Sequence, residues 1–267
     1  MHGDASGYSA LDETLQFYRD AMRIMADAGV PFLLGGAYAF SVYTGIERHT
    51  KDIDLFVRKR DLDAALNAFR QKGYAAERTF PHWLAKARCG GDCIDLIFGA
   101  GNGLCQVDDS WFERGHDDEV LGLPVKLVAP EEIMWMKGYI MERERYDGAD
   151  ISHLIYSCAE KLDWSHLLRR FGEDWRVLLS HLVLFGYIYP TEKQRVPESA
   201  MIELLQWAAE DQRSRVDERV CRGTLLSRAQ YLADVRDRGF RDARLESRSA
   251  MTQRDVDAWT EAIGQKE

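Results

Sequence analysis

Residues 49–57 read HTKDIDLFV, an apolar run that carries two aspartates two positions apart. Side chains alternate along a strand, so Asp52, Asp54 and Phe56 share one face while Ile53, Leu55 and Val57 take the other. Two adjacent carboxylates repel each other, and burying them without a partner would raise a pKa or destabilise the strand. Something positive must therefore meet them, and Lys51, Arg48 or a divalent cation are the candidates. A strand-end pair of acids satisfied by loop amides is the structural alternative.

Upstream, FLLGGAYAF (32–40) reads as a short buried strand ending in Gly35 and Gly36 and running into a helix closed by Gly45. Such a strand-to-helix turn lets unhindered N–H groups and a helix N-terminus approach phosphate, or it is simply a tight turn. Before it, residues 11–28 place Leu11, Leu15, Tyr18, Met22 and Met25 at helical spacing, with Asp12 and Glu13 in the expected first turn and Gly29 as the stop. Downstream, DLDAALNAFRQKG (61–73) is an amphipathic helix with Asp61 as N-cap candidate and Gly73 as terminator. Strands follow at 74–80, 82–89 and 92–99, and another at LPVKLV (123–128).

From Pro130 onward the pattern is helical: APEEIMWMKGYIMERER (129–145), YDGADISHLIYSCAE (146–160), residues 163–189 and residues 197–215, with PTEKQRVP (190–197) as a linker. The expected fold class is α+β. A core with a mixed β-sheet flanked by helices occupies residues 1–129, and an all-helical C-terminal domain for acceptor selection or dimerisation occupies 130–267.

A hydrophobic content of 46% over 267 residues supplies a real core. No segment is long and apolar enough to span a membrane, and the opening MHGDASGYSALDE has no basic stretch followed by an apolar one. A cytoplasmic protein with no membrane partner is expected. The net charge of −9 disfavours a surface that tracks a polyanion, and the arginines of 211–223 and 234–248 are interleaved with acids as on a salt-bridged surface. Cys89, Cys93, Cys105, Cys158 and Cys221 are odd in number and irregularly spaced, which suits free thiols better than disulfides or zinc. His49 precedes the acid pair, and a helix start is expected near Ser227.

A second apolar strand, CIDLIFG (93–99), embeds Asp95 on the face opposite Ile94, Leu96 and Phe98. Three strand-borne carboxylates form an oxygen-rich set of the kind Mg²⁺ takes, with room for water and substrate phosphates. Gly35-Gly36, Asp52-Ile53-Asp54 and the later Asp95 together resemble the nucleotidyltransferase fold of the DNA polymerase β superfamily. Within it, the likeness is to minimal nucleotidyltransferases and the AbiEii-type and MenT-type toxin enzymes. It extends over residues 30–155 and includes Lys137, Arg143, Arg145, Asp147 and Asp150. Gly36 departs from the pattern, since serine often stands there.

The resemblance implies a catalytic role for Asp52, Asp54 and Asp95, all three as metal ligands for two Mg²⁺ ions, with Mn²⁺ as an alternative. It implies that Gly35, Gly36 and Lys137 contact the NTP, ATP among the candidates. It implies NMP transfer to a hydroxyl of a tRNA, a protein or a small molecule with release of pyrophosphate, and an antitoxin-like or homo-oligomeric partner. The alternatives are an antibiotic-type small-molecule nucleotidyltransferase, a catalytically silent module of the same fold, and a nucleotide-sugar glycosyltransferase, whose acid pair normally follows a longer preceding half. Lys137 also reads as a surface lysine, and Asp147 and Asp150 as caps for the next helix.

Overall fold

The strand that carries the acid pair, β2, lies in the middle of a seven-stranded mixed sheet. The computed structural model describes residues 5–48, 50–213 and 218–263, with side chains from residue 13; His49 lies outside the described residues. The chain forms two units. Residues up to 41, with 46–100 and 106–129, make the first; residues 42–45 and 101–105, with those from 130 onward, make the second.

The first unit runs α1 (Ala5–Asp27), β1 (Leu33–Leu34), α2 (Gly36–Thr44, whose last residues belong to the second unit), β2 (Asp52–Phe56), α3 (Leu62–Gln71), β3 (Ala75–Phe80), β4 (Leu84–Cys89), β5 (Asp92–Ile97), α4 (Asp109–Arg114), β6 (His116–Val120) and β7 (Leu123–Leu127). The strand order is β3-β4-β5-β2-β1-β7-β6. β2 pairs parallel with β5 and antiparallel with β1, and β1 pairs parallel with β7. Ile53, Leu55, Ile94 and Leu96 form the apolar face and are fully buried. Each such side chain contributes about 1.5–3 kcal/mol when fully buried.

α1 begins before Leu11, because no proline interrupts the preceding residues. Asp12 and Glu13 therefore sit beyond its first turn. Tyr18, Met22 and Met25 are buried as their spacing requires, and α1 packs on α3 and β5. Asp61 occupies the N-cap position of α3 but makes no capping bond there, since its carboxylate takes the Arg58 Nε at 2.6 Å instead.

The second unit contains α5 (Pro130–Gly138), α6 (Gly148–Cys158), α7 (Trp164–Phe171), α8 (Trp175–Ile188), α9 (Glu198–Asp211), β8 (Val220–Cys221), α10 (Leu232–Asp237), β9 (Arg241–Asp242) and α11 (Gln253–Glu261). Among the described residues its extended pairings are the two-residue parallel pair of β8 and β9 and an isolated antiparallel bridge between Met141 and Tyr146. α5 stops at Gly138, short of the helix expected through Arg145. A Cβ at Gly138 would lie 2.8 Å from the Phe171 ring, and the next residue, Tyr139, turns inward to donate its hydroxyl to Asp174 at 2.8 Å. Ser227 starts no helix; its Oγ donates to Glu142 at 2.7 Å and accepts from the Gln230 N–H at 3.2 Å.

Candidate active site

β1 delivers the glycine pair beside β2. The Gly35 N–H donates to the Asp54 carbonyl at 3.0 Å, which extends the β1-β2 ladder into the turn. Neither glycine has room for a side chain. A Cβ at Gly35 would enter the Phe56 ring, which stacks on the buried Trp111 ring with centroids 5.7 Å apart. Gly36 has φ of 55°, in the left-handed region, and a Cβ there would overlap the Asp54 carboxylate. The absence of serine at this position thus has a steric cause in this chain. Gly36 also opens α2, so the Asp54 carboxylate stands at a helix N-terminus, where negative charge is favoured.

Register brings the third acid alongside. Asp54 is paired with Asp95 across β2 and β5, and Asp95 is paired with Lys86 across β5 and β4, so the three side chains lie in one row on one face. In the adjacent row Asp52 neighbours Cys93, and the Thr50 hydroxyl lies 2.8 Å from Asp52 Oδ1. Asp52 and Asp54 are half-buried and Asp95 is buried.

The Lys86 Nζ lies 3.0 Å from Asp95 Oδ1 and 3.1 Å from Oδ2. Burial pushes the Asp95 carboxyl above its ordinary pKa, the Lys86 ammonium pulls it back, and the nearby Asp52 charge adds to the rise. Burial alone would lower Lys86; the Asp95 charge outweighs it and raises the ammonium above its usual value. The Cys93 Sγ, 3.5 Å from Asp95 Oδ1, stays a protonated thiol, pushed up to about 11 first by burial and then by Asp95. Beside this row α1 contributes Tyr18, fully buried, whose hydroxyl has no partner among the described residues and whose ring meets Tyr38 of α2 edge-on.

The structure thus brings Gly35, Gly36, Asp52, Asp54 and Asp95 together within the first unit. The ion pair at the site belongs to the third acid, Asp95, whose partner Lys86 comes from β4; the Arg48 guanidinium lies over the Phe40 ring at 4.2 Å. One signal was present, a lysine between Ala85 and Ala87 in a strand otherwise apolar at that point.

Lys137 belongs to the second unit. Its Nζ lies 2.6 Å from Asp147 Oδ2 and 2.8 Å from Asp150 Oδ2, and Arg145 donates to both oxygens of Asp147. Burial would raise the Asp147 carboxyl, but Arg145 and Lys137 outweigh it and hold it below the usual range. Asp147 occupies the N-cap position of α6 without a side-chain capping bond. Arg143 is exposed.

A hard divalent cation such as Mg²⁺ takes oxygen ligands and keeps several waters. The half-buried carboxylates Asp52 and Asp54 fit that chemistry. Among the described residues no three His, Cys, Asp or Glu side chains converge tightly enough to enclose an ion. A cation held here would complete its shell with water and phosphate oxygens. The five cysteines are free thiols, and no helix among the described residues is long and apolar enough to cross a membrane.

Comparison with solved structures finds similar chains. The antibiotic-resistance factor ANT(2'')-Ia is 16% identical, with 64% of this chain and 97% of that one covered at a TM-score of 0.45. The lincomycin-bound lincosamide antibiotic adenylyltransferase LnuA is 16% identical, with coverages of 53% and 95% and a TM-score of 0.39. An antigenic nucleotidyltransferase-like protein from Paracoccidioides brasiliensis is 18% identical, with coverages of 68% and 92% and a TM-score of 0.43. No curated protein is significantly similar to the chain. A family model described as "Nucleotidyl transferase of unknown function" (DUF2204) matches residues 14–174, a span that takes in the glycine turn and all three strand-borne acids. With more than half of its length so matched, the chain belongs to this family of nucleotidyl transferases.

Proposed function

We propose that the protein moves a nucleoside monophosphate from an NTP to an acceptor hydroxyl in a Mg²⁺-dependent reaction that releases pyrophosphate. The observation that carries this reading is the Asp54 carboxylate, seated against Gly36 at the start of α2 and in register with Asp95. It sets acids for a cation beside N–H groups for phosphate.

When bound, Mg²⁺ supplies Lewis-acid polarisation and neutralises charge on the triphosphate. The Gly35 N–H is held by the Asp54 carbonyl, so the phosphate contact falls to the N–H groups at the start of α2, from Gly36 onward, where the helix N-terminus favours the anion. Asp52, oriented by Thr50, and Asp54 provide hard oxygen ligands. In the transfer, the acceptor oxygen bonds to the α-phosphorus as the bond to the α–β bridging oxygen breaks. The bonding pair leaves with pyrophosphate, and the acceptor proton passes to Asp95. The work of the chain is positioning and charge neutralisation.

Lys137 shares its charge between Asp147 and Asp150, which supports a structural role within the helical unit over a phosphate contact. The net charge of −9 favours a compact acceptor over an extended polyanion.

Calorimetric titration of each NTP, with and without Mg²⁺, tests the reading, with Asp54→Asn as control. Mg²⁺-dependent binding that disappears in the variant is expected, and it names the nucleotide for an acceptor screen. A folded wild-type protein that binds no NTP would overturn it.

A further inference from the structure

The Lys86–Asp95 pair bears on how the site handles its cation, an inference that rests on the nucleotidyl-transfer reading above. Lys86 and Asp95 stand in direct register on β4 and β5, and they are only 5% and 8% exposed. The Lys86 ammonium lies within 3.1 Å of both Asp95 oxygens, and the Cys93 thiol adds a contact to one of them. The negative charge of Asp95 is therefore already met by a cation that belongs to the chain. A divalent ion on the same carboxylate would stand against that ammonium in poorly solvated surroundings, where like charges repel strongly. Asp52 differs, because its partner Thr50 is a neutral hydroxyl that leaves the carboxylate charge in place.

We propose that Lys86 is a positioning residue, a fixed counter-cation that holds the Asp95 carboxylate outside the metal shell, so that the protein itself binds one divalent ion, through Asp52 and Asp54. A site with three ligating carboxylates would bind two.

Mn²⁺ alone, titrated into the full chain and counted by the loss of the free-ion electron paramagnetic resonance signal, tests this. One ion per wild-type chain is expected, lost in Asp54→Asn. Lys86→Arg retains the charge and the count of one, whereas Lys86→Met releases Asp95 and raises the count to two, a change that a merely structural lysine would not produce. Should Lys86→Met fail to fold, the double variant Lys86→Met/Asp95→Asn removes both buried charges at once. It is expected to keep its Mn²⁺ affinity within about threefold of wild type, whereas losing even a side chain that supports a metal ligand costs about tenfold or more. Two ions in the wild type, an unchanged count in folded Lys86→Met, or Mn²⁺ binding lost in the double variant would overturn this proposal while leaving nucleotidyl transfer standing. A wild-type chain that binds no Mn²⁺ overturns this proposal and the metal dependence together, and NTP binding then tells whether nucleotide recognition survives.

Discussion

The Asp54 carboxylate occupies the space that a side chain at Gly36 would need. Glycine at that position is thus part of the acid's seat as well as of the turn. Gly36→Ser, which installs the residue common elsewhere, is expected to incur about 1–2 kcal/mol of left-handed backbone strain and to push Asp54 aside. Mg²⁺-dependent NTP binding should weaken about tenfold or more, as for a disturbed metal ligand. Calorimetry paired with thermal unfolding checks both effects; unchanged binding would show that the seat is dispensable.

Asp52→Asn and Asp54→Asn should separate chemistry from folding. Both acids are half-buried, with Asp54 at a helix N-terminus, so stability should change by about 1 kcal/mol or less, while turnover falls by about 10²–10³-fold. Asp95→Asn should behave differently, because it leaves the Lys86 ammonium buried opposite a neutral amide. A loss of about 3–5 kcal/mol is expected. Urea unfolding of the three variants distinguishes the cases, and equal stabilities would remove the structural weight assigned to Lys86.

The Asp147 cluster should make the helical unit acid-sensitive. Its carboxyl is held below the ordinary value, so its ion pairs contribute fully above the unfolded-state pKa of about 3.9. That contribution is lost as pH falls through the lower folded-state value. Wild type should exceed Asp147→Asn by about 1.5–3 kcal/mol near neutrality, and the gap should close on acidification below pH of about 4. Unfolding followed by tryptophan fluorescence across this range measures it; a gap independent of pH would contradict the assignment.

Arg244 is fully buried and pairs with Asp242 through Nη2 to Oδ2 at 2.6 Å and through Nε to both oxygens at 3.0 and 3.1 Å. Arg244→Met strands the Asp242 carboxylate and should cost about 3–5 kcal/mol, and Arg244→Met/Asp242→Asn should recover part of it. Thermal unfolding decides, and a double variant no better than the single one would assign the loss to packing alone.

Legibility followed how local each determinant is. β2 was readable because its period-2 alternation is contained in five residues, and α1 and α3 because their apolar stripes are continuous, whereas the run 163–189 divides into α7 and α8 at Gly172–Asp174. β6, HDDEV, escaped because four of its five side chains are exposed and its place is decided by backbone pairing with β7. The end of α5 escaped because Phe171 and Asp174, more than thirty residues on, determine it. Capping by Asp61 was plausible from spacing and was pre-empted by the Arg58 guanidinium.

The sequence by itself determined the fold class, the glycine turn and the parity that puts Asp52 and Asp54 on one face, since each depends on residues close along the chain. Only the tertiary structure decided what stands beside Asp95. Its neighbours come from other strands through interstrand hydrogen-bond register, and a shift of one residue would turn Lys86 to the opposite face. Register is settled by the burial of Ile53, Leu55, Ile94 and Leu96 together on one face of the sheet, a collective property of the core that no single stretch of sequence encodes.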